Sequence, residues 1–210
     1  MMVDISKHMT KAQEMGLSNG QVPVEYYTSP EYFRREQDMI FRRAWLMVGR
    51  VEEVAEPGDF VVRDMPTLEA SVIISRGKDG KVRAFHNQCA HRGVALVCQE
   101  RGNALTFRCP YHAWVYRADG SLSAIPSEKD FPHVDKDENG LAQIHLETWN
   151  GFIFLNFADN PMPFADFMGG MDDVFADMPF SDYPFVIKYS EDVAANWKLL
   201  PSEENILDRK

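Results

Sequence analysis

Residues 89–114 constrain this chain more than any other stretch. They open with Cys89-Ala90-His91-Arg92-Gly93 and close with Cys109-Pro110-Tyr111-His112-Ala113-Trp114. These are a C-x-H pair and a C-x-x-H pair, with 17 residues (92–108) between them. Each pair offers one thiolate and one imidazole. In an extended C-x-H segment, residues i and i+2 project to the same side, so Cys89 and His91 would reach one site from one loop. In C-x-x-H a tight turn brings i and i+3 together, and Pro110 presets the backbone for it. The spacer is long enough to hold a hairpin, which lets the loops face each other. Gly93 and Gly102 supply points where the backbone can bend or approach closely. The expected site lies at the tip of two β-loops, near solvent, with the imidazoles outermost.

Two Cys and two His in this pattern match the donors of a [2Fe–2S] cluster in which two His replace two Cys on one iron. Zinc is the alternative ion, although zinc fingers pair Cys with Cys and His with His at short spacing. With Phe85-His86-Asn87-Gln88 in front, the stretch resembles the Rieske domain of ring-hydroxylating oxygenase α subunits. That resemblance implies that Cys89 and Cys109 bind an inner iron and that His91 and His112 bind an outer one. The family usually has Gly after the second His; Ala113 stands here and is expected to be harmless, since it keeps its N–H. Respiratory-chain Rieske proteins carry an extra Cys in each ligand loop, and these form a disulfide. Here Arg92, Gly93, Val94, Pro110 and Tyr111 fill those loops. With no Ser after His112 and no hydroxyl on Trp114, few hydrogen bonds to sulfur are expected. That points to the low end of the roughly −150 to +300 mV Rieske range. Trp114 is expected to pack beneath the cluster.

Composition narrows the function classes. The chain has 210 residues and a formal net charge of −10, which argues against nucleic acid and anionic membrane surfaces as partners. Three Cys, two of them in ligand spacing, leave Cys98 over. That count fits a reducing, cytoplasmic setting without a disulfide framework, and Cys98 is expected to be a small buried hydrophobe. Residues 1–11 lack an apolar core, so no signal peptide is expected, and no apolar run approaches a membrane span.

Along the chain, residues 1–44 read as a polar arm followed by a helix. Ser29-Pro30-Glu31 is a helix start, and Phe33, Ile40, Phe41 and Ala44 form its expected buried stripe. From residue 45 to 158 the pattern is short strands with turn signals: 60–62, 72–74, 82–85, 105–107, 114–116 and 152–155. Gly77-Lys78-Asp79-Gly80 and Ala118-Asp119-Gly120 mark hairpin turns. The expected fold is mainly β, an antiparallel sandwich or barrel, as the resemblance also implies. Residues 159–183 read as a linker with a short helix near 171–178, and 184–210 as the first strand and helix of a truncated α+β catalytic domain.

That last segment carries Asn196-Trp197-Lys198 and Glu204-Asn205-Ile206-Leu207-Asp208. It resembles the entry to the family's catalytic domain, where such a helix Asp bridges a mononuclear Fe(II) site to a Rieske His of the neighbouring subunit. Asp208 is the matching position. No His follows it before Lys210, so the two-His-one-carboxylate set of the mononuclear iron is expected only in a longer protein, and this chain alone is expected to be inactive as an oxygenase. The resemblance further implies a ferredoxin or NAD(P)H-dependent reductase as electron donor, and a homotrimer in full-length form, with or without a β subunit. The runner-up is a stand-alone Rieske ferredoxin, a carrier rather than an enzyme.

Overall fold

The computed structural model describes residues 22–184, 186 and 192–200. Ten strands make two antiparallel sheets. They are β1 (Leu46–Arg50), β2 (Asp59–Met65), β3 (Ala70–Arg76), β4 (Val82–His86), β5 (Arg101–Asn103), β6 (Thr106–Arg108), β7 (Val115–Arg117), β8 (Leu122–Ala124), β9 (Gln143–Trp149) and β10 (Phe152–Asn156). The large sheet has the order β1-β10-β9-β4-β3-β2-β5, and the small one runs β6-β7-β8.

The alternation of side chains along β2, β3 and β4 explains how the sheets meet. Successive residues of a strand point to opposite faces. Val61, Val72, Ile74 and Ala84 enter a core with Val54, Ile144, Ile153 and Leu155. Phe60, Ile73 and Phe85 enter the opposite core, with Phe107, Trp114, Tyr116, Cys89 and Cys109. The central strands are thus covered on both faces, which is why they read as unbroken apolar runs. Ser75, fully buried, donates its hydroxyl to the Ala118 carbonyl at 2.7 Å and ties the sheets together.

Two loop positions need their backbone geometry explained. Gly120 has φ +87°, and a Cβ there would fall 2.3 Å from the Phe85 ring. Only glycine fits a left-handed turn pressed on an aromatic ring. Ala113, at φ 58°, holds the same left-handed region with a methyl.

Residues 159–184 pack back on the large sheet. Trp45 donates its indole N–H to the Met162 carbonyl at 2.8 Å, and Trp45, Phe154 and Met168 form a small core with Phe164. Arg50 donates to the carbonyls of Phe180 and Tyr183 at 2.8 and 2.7 Å. The helices here are short: α3 (Phe164–Met168) and α4 (Met171–Val174), the latter ending before the expected 178.

At the N-terminal side, α1 (Glu25–Thr28) precedes α2 (Pro30–Glu36). The Tyr32 N–H donates to Ser29 Oγ at 3.4 Å, as a capping Ser should. The expected stripe does not hold: Phe33 and Ile40 are exposed, and Glu36 is the buried residue of α2. A π-helical turn over Gln37–Phe41 follows α2. Its wider turn breaks the 3.6-residue spacing and aims Gln37 Nε2 at the Thr67 carbonyl, 2.6 Å away.

Among residues 192–200, Trp197–Leu199 form a single 3-10 turn. Asn196 caps it by accepting the Lys198 N–H at 3.1 Å. Asn196 also donates to the Tyr27 carbonyl at 3.0 Å. The expected strand at 185–189 falls, apart from Val186, outside the described residues, and Asp208 lies outside them as well.

Gly120→Ala is expected to destabilise the fold by about 2–4 kcal/mol, combining left-handed strain with overpacking against Phe85. Denaturant unfolding of the purified protein measures it, and a loss below half a kilocalorie would remove the Phe85 contact from the explanation.

Candidate metal centre

The two ligand loops fold alike. In the first, the Cys89 N–H donates to the Val94 carbonyl at 2.9 Å, and the Gly93 N–H returns to the Cys89 carbonyl at 2.8 Å. In the second, the Cys109 N–H donates to the Trp114 carbonyl at 2.8 Å, and the Ala113 N–H returns to the Cys109 carbonyl at 3.0 Å. Each loop is therefore one i+4→i turn closed by a left-handed residue, Gly93 at φ 67° and Ala113 at φ 58°. This corrects the expectation of an extended C-x-H segment: both Cys open a turn, and the His sits at its second step in one loop and its third in the other. It also gives Ala113 a specific cost. Its N–H is engaged, and its methyl strains a conformation that glycine adopts freely.

The turns bring the four side chains together. Cys89 and Cys109 are buried at 2% and 3% exposure, while both imidazoles lie nearer the surface. The His91 and His112 rings are 4.7 Å apart at 64°. Each ring buries its Nδ1 atom without a hydrogen-bond partner. Such an atom costs free energy unless something binds it, and a metal on the shared side would do so. Among the described residues, no three His, Cys, Asp or Glu side chains are placed to hold one metal ion. Two buried thiols and two imidazoles with unpartnered nitrogens are the donor set of a [2Fe–2S] cluster held by two Cys and two His.

The surroundings favour the forms that bind metal. Burial holds the His91 pKa below the usual imidazole value, helped by the neighbouring His112 and Arg92, so the lone pair stays free. Burial raises the Cys109 thiol pKa, but the backbone N–H groups of His112 and Tyr111, with Cys89, outweigh it and lower the net value. Trp114 stacks on His91, with centroids 4.8 Å apart and 5° between the planes. Phe131 meets His91 edge-on at 5.9 Å, and the exposed Tyr111 lies over His112 at 3.7 Å. Trp114 thus lies in the core as expected and covers a face of His91.

One functional side chain escapes the sequence reading. Tyr116 is fully buried on β7, and its hydroxyl lies 3.3 Å from Cys89 Sγ. That oxygen accepts the Ala90 N–H at 3.0 Å, and its own O–H is within reach to donate to a deprotonated Cys89 sulfur. Burial, with the bond to Cys89, raises its pKa, so it remains a donor. The expectation of few sulfur hydrogen bonds thus missed one. The alternation that puts Trp114 and Tyr116 on one face of a strand was the available signal. Cys98 is exposed, not buried, since it lies beyond the Leu96-Val97 pair that enters the core.

The comparisons with known proteins agree with this geometry. Residues 44–144 match the Rieske [2Fe-2S] domain family. The carnitine monooxygenase oxygenase subunit of Acinetobacter baumannii is 31% identical over 180 residues, 85% of this chain and 48% of that protein. The biphenyl 2,3-dioxygenase subunit alpha of Rhodococcus jostii is 38% identical over 144 residues, 68% of this chain and 31% of that one. The chain carries a Rieske [2Fe-2S] domain, and its homologues are Rieske oxygenase subunits. Its cofactor is the family's [2Fe–2S] cluster. A crystal structure of the quaternary ammonium Rieske monooxygenase CntA with gamma-butyrobetaine superimposes with a TM-score of 0.79 at 31% identity, over 85% of this chain and 51% of that one. The chain spans about half the length of the carnitine monooxygenase subunits it matches.

Ala113→Gly is expected to raise stability by about 1 kcal/mol through relief of left-handed strain. Thermal or denaturant unfolding of the cluster-loaded protein measures the gain; a loss of stability would show that the Ala113 methyl makes a compensating contact.

Proposed function

We propose that this chain is the electron-transfer portion of a Rieske oxygenase α subunit, with Cys89, Cys109, His91 and His112 as its cluster ligands. The observation that carries the assignment is the pair of buried imidazole Nδ1 atoms without partners, on rings 4.7 Å apart, in loops that also bury Cys89 and Cys109. When bound, the cluster supplies a one-electron redox site. The protein's residues do the rest. Cys89 and Cys109 hold the inner side in the core between the sheets, where water is excluded. His91 and His112 carry the outer side to the surface, which puts the shorter path to a partner through the imidazoles. Tyr116 donates to Cys89 Sγ, withdraws charge from sulfur and favours the reduced state.

In this reading the electrons come from a ferredoxin or NAD(P)H-dependent reductase and pass to a mononuclear non-haem iron that activates O2. The Rieske relatives support it, and so does the match of Asn196-Trp197-Lys198 and Asp208 to the entry of the catalytic domain. Asp208 is proposed as the carboxylate bridging the two sites, within a homotrimer. Residues 45–158 form the Rieske unit in this proposal, 159–183 the linker and 184–210 the beginning of the oxygenase domain. The relatives include a carnitine monooxygenase and a biphenyl dioxygenase. Substrate therefore varies across a shared Rieske fold, and quaternary ammonium compounds stand beside aromatic hydrocarbons as the class to screen.

Anaerobic reconstitution followed by dithionite reduction tests the ligand assignment. We expect a rhombic Rieske EPR signal in the wild-type protein, and His112→Cys should abolish it or convert it to an all-cysteine type. An unchanged spectrum in that variant would overturn the assignment. Tyr116→Phe should retain the cluster but lower its midpoint potential by tens of millivolts; protein-film voltammetry reads the shift, and an equal potential would show that the hydroxyl does not donate to sulfur.

A further inference from the structure

The two ligand loops share one internal geometry but not one support. The second loop sits at the end of a hairpin. The ladder of β6 and β7 closes its neck, with Arg108 opposite Val115, Phe107 opposite Tyr116 and Thr106 opposite Arg117. The first loop has no such ladder. β4 pairs with β3 and β9. The chain that leaves the loop runs on to β5, which pairs with β2. Nothing in the strand pairing brings residues 96–97 back to the end of β4.

Asn87 fills that gap. It lies directly after β4, is 3% exposed, and precedes Cys89 by two residues. Its Oδ1 accepts the Leu96 N–H at 3.0 Å and the Val97 N–H at 2.9 Å. Its Nδ2 donates to the Val97 carbonyl at 2.7 Å and to Ser71 Oγ at 3.2 Å. Its own N–H donates to the Ser71 carbonyl at 2.8 Å. The carboxamide thus offers an acceptor and a donor to one stretch of backbone, as an opposing strand residue would. It closes the neck of the Cys89–His91 loop and ties it to β3.

We propose that Asn87 is a positioning residue for the cluster, a side-chain substitute for the missing ladder rung that sets Cys89 and His91 in register with Cys109 and His112. The proposal rests on the ligand assignment above. It has a chemical consequence. The buried backbone groups at 96–97 that Asn87 pairs have no other hydrogen-bond partner among the described residues, so altering Asn87 leaves them unpaired in a dry site. The loop then moves, and the His91 imidazole moves with it. The second loop, held by backbone ladders, stays. The asymmetry predicts damage to one half of the ligand set only. An isosteric probe is available: Asn87→Asp keeps Oδ1 for the two N–H groups but sets an oxygen against the Val97 carbonyl.

The test uses the full chain, reconstituted with iron and sulfide. Wild type, Asn87→Asp and Ser71→Ala are compared with Ile74→Val, a core change in the opposite face of β3. We expect Asn87→Asp to shift the EPR g-values of the reduced cluster and to shed iron to a chelator about 10-fold faster, the scale typical of residues behind metal ligands. Ser71→Ala, which removes a single bond to the carboxamide, should do the same more weakly. Ile74→Val should lower the melting temperature and leave the g-values unchanged. If Asn87→Asp fails to load, the smaller Ser71→Ala shift decides the matter. Wild-type g-values and iron release in both variants would overturn the positioning role. Absence of a Rieske signal in the wild type would instead overturn the ligand assignment, so the two failures are distinguishable.

Discussion

A buried nitrogen with no hydrogen-bond partner costs on the order of 1–3 kcal/mol, and this fold buries two of them, the Nδ1 atoms of His91 and His112, on rings 4.7 Å apart. The rest of the architecture makes sense as the frame that enforces this unfavourable arrangement. Trp114 and Phe131 hold the His91 ring from its face and edge. The paired i+4→i turns open on Cys89 and Cys109, both buried. The small sheet, packed on one face of β2, β3 and β4, keeps water from the sulfur side. A group that binds two nitrogens and two thiolates at once turns that cost into a gain, which is the general logic by which ligand binding stabilises the folded state.

The division of labour between the sheets follows from this. The large sheet has its own core on the far side and holds no ligand there. Its contribution is rigidity: three central strands covered on both faces, with Ser75 bonded across to the Ala118 carbonyl. The small sheet and the loop after β4 carry the chemistry. That separation accounts for the similarity of this chain to oxygenases named for carnitine and for biphenyl, since nothing in the Rieske unit has to know the substrate.

Much of this was legible in the sequence, and the pattern of what was not is physical. The four proposed ligand residues stand out because metal chemistry demands rare residue types at short spacing. The apolar strands β2, β3, β4 and β10 followed from apolar runs, whereas the more polar β5, β8 and β9 gave no such run. What escaped depends on bonds between distant residues. The Tyr116 hydroxyl reaches a sulfur 27 positions away, and a buried Tyr at a strand centre looks like any core aromatic. Asn87 looks like a turn residue until its partners at Ser71, Leu96 and Val97 are known. Ile40 is exposed within a π-turn, whose change of register periodicity cannot foresee. The left-handed strain at Ala113 became visible only with its φ angle.

The claim on which all of this turns is that two histidine Nδ1 atoms bind iron. Electron–nuclear double resonance on the reduced protein, with histidine labelled by ¹⁵N at Nδ1, asks that question directly. The account predicts strong couplings from two inequivalent ¹⁵N nuclei. A spectrum with no histidine nitrogen coupled to the cluster would contradict it.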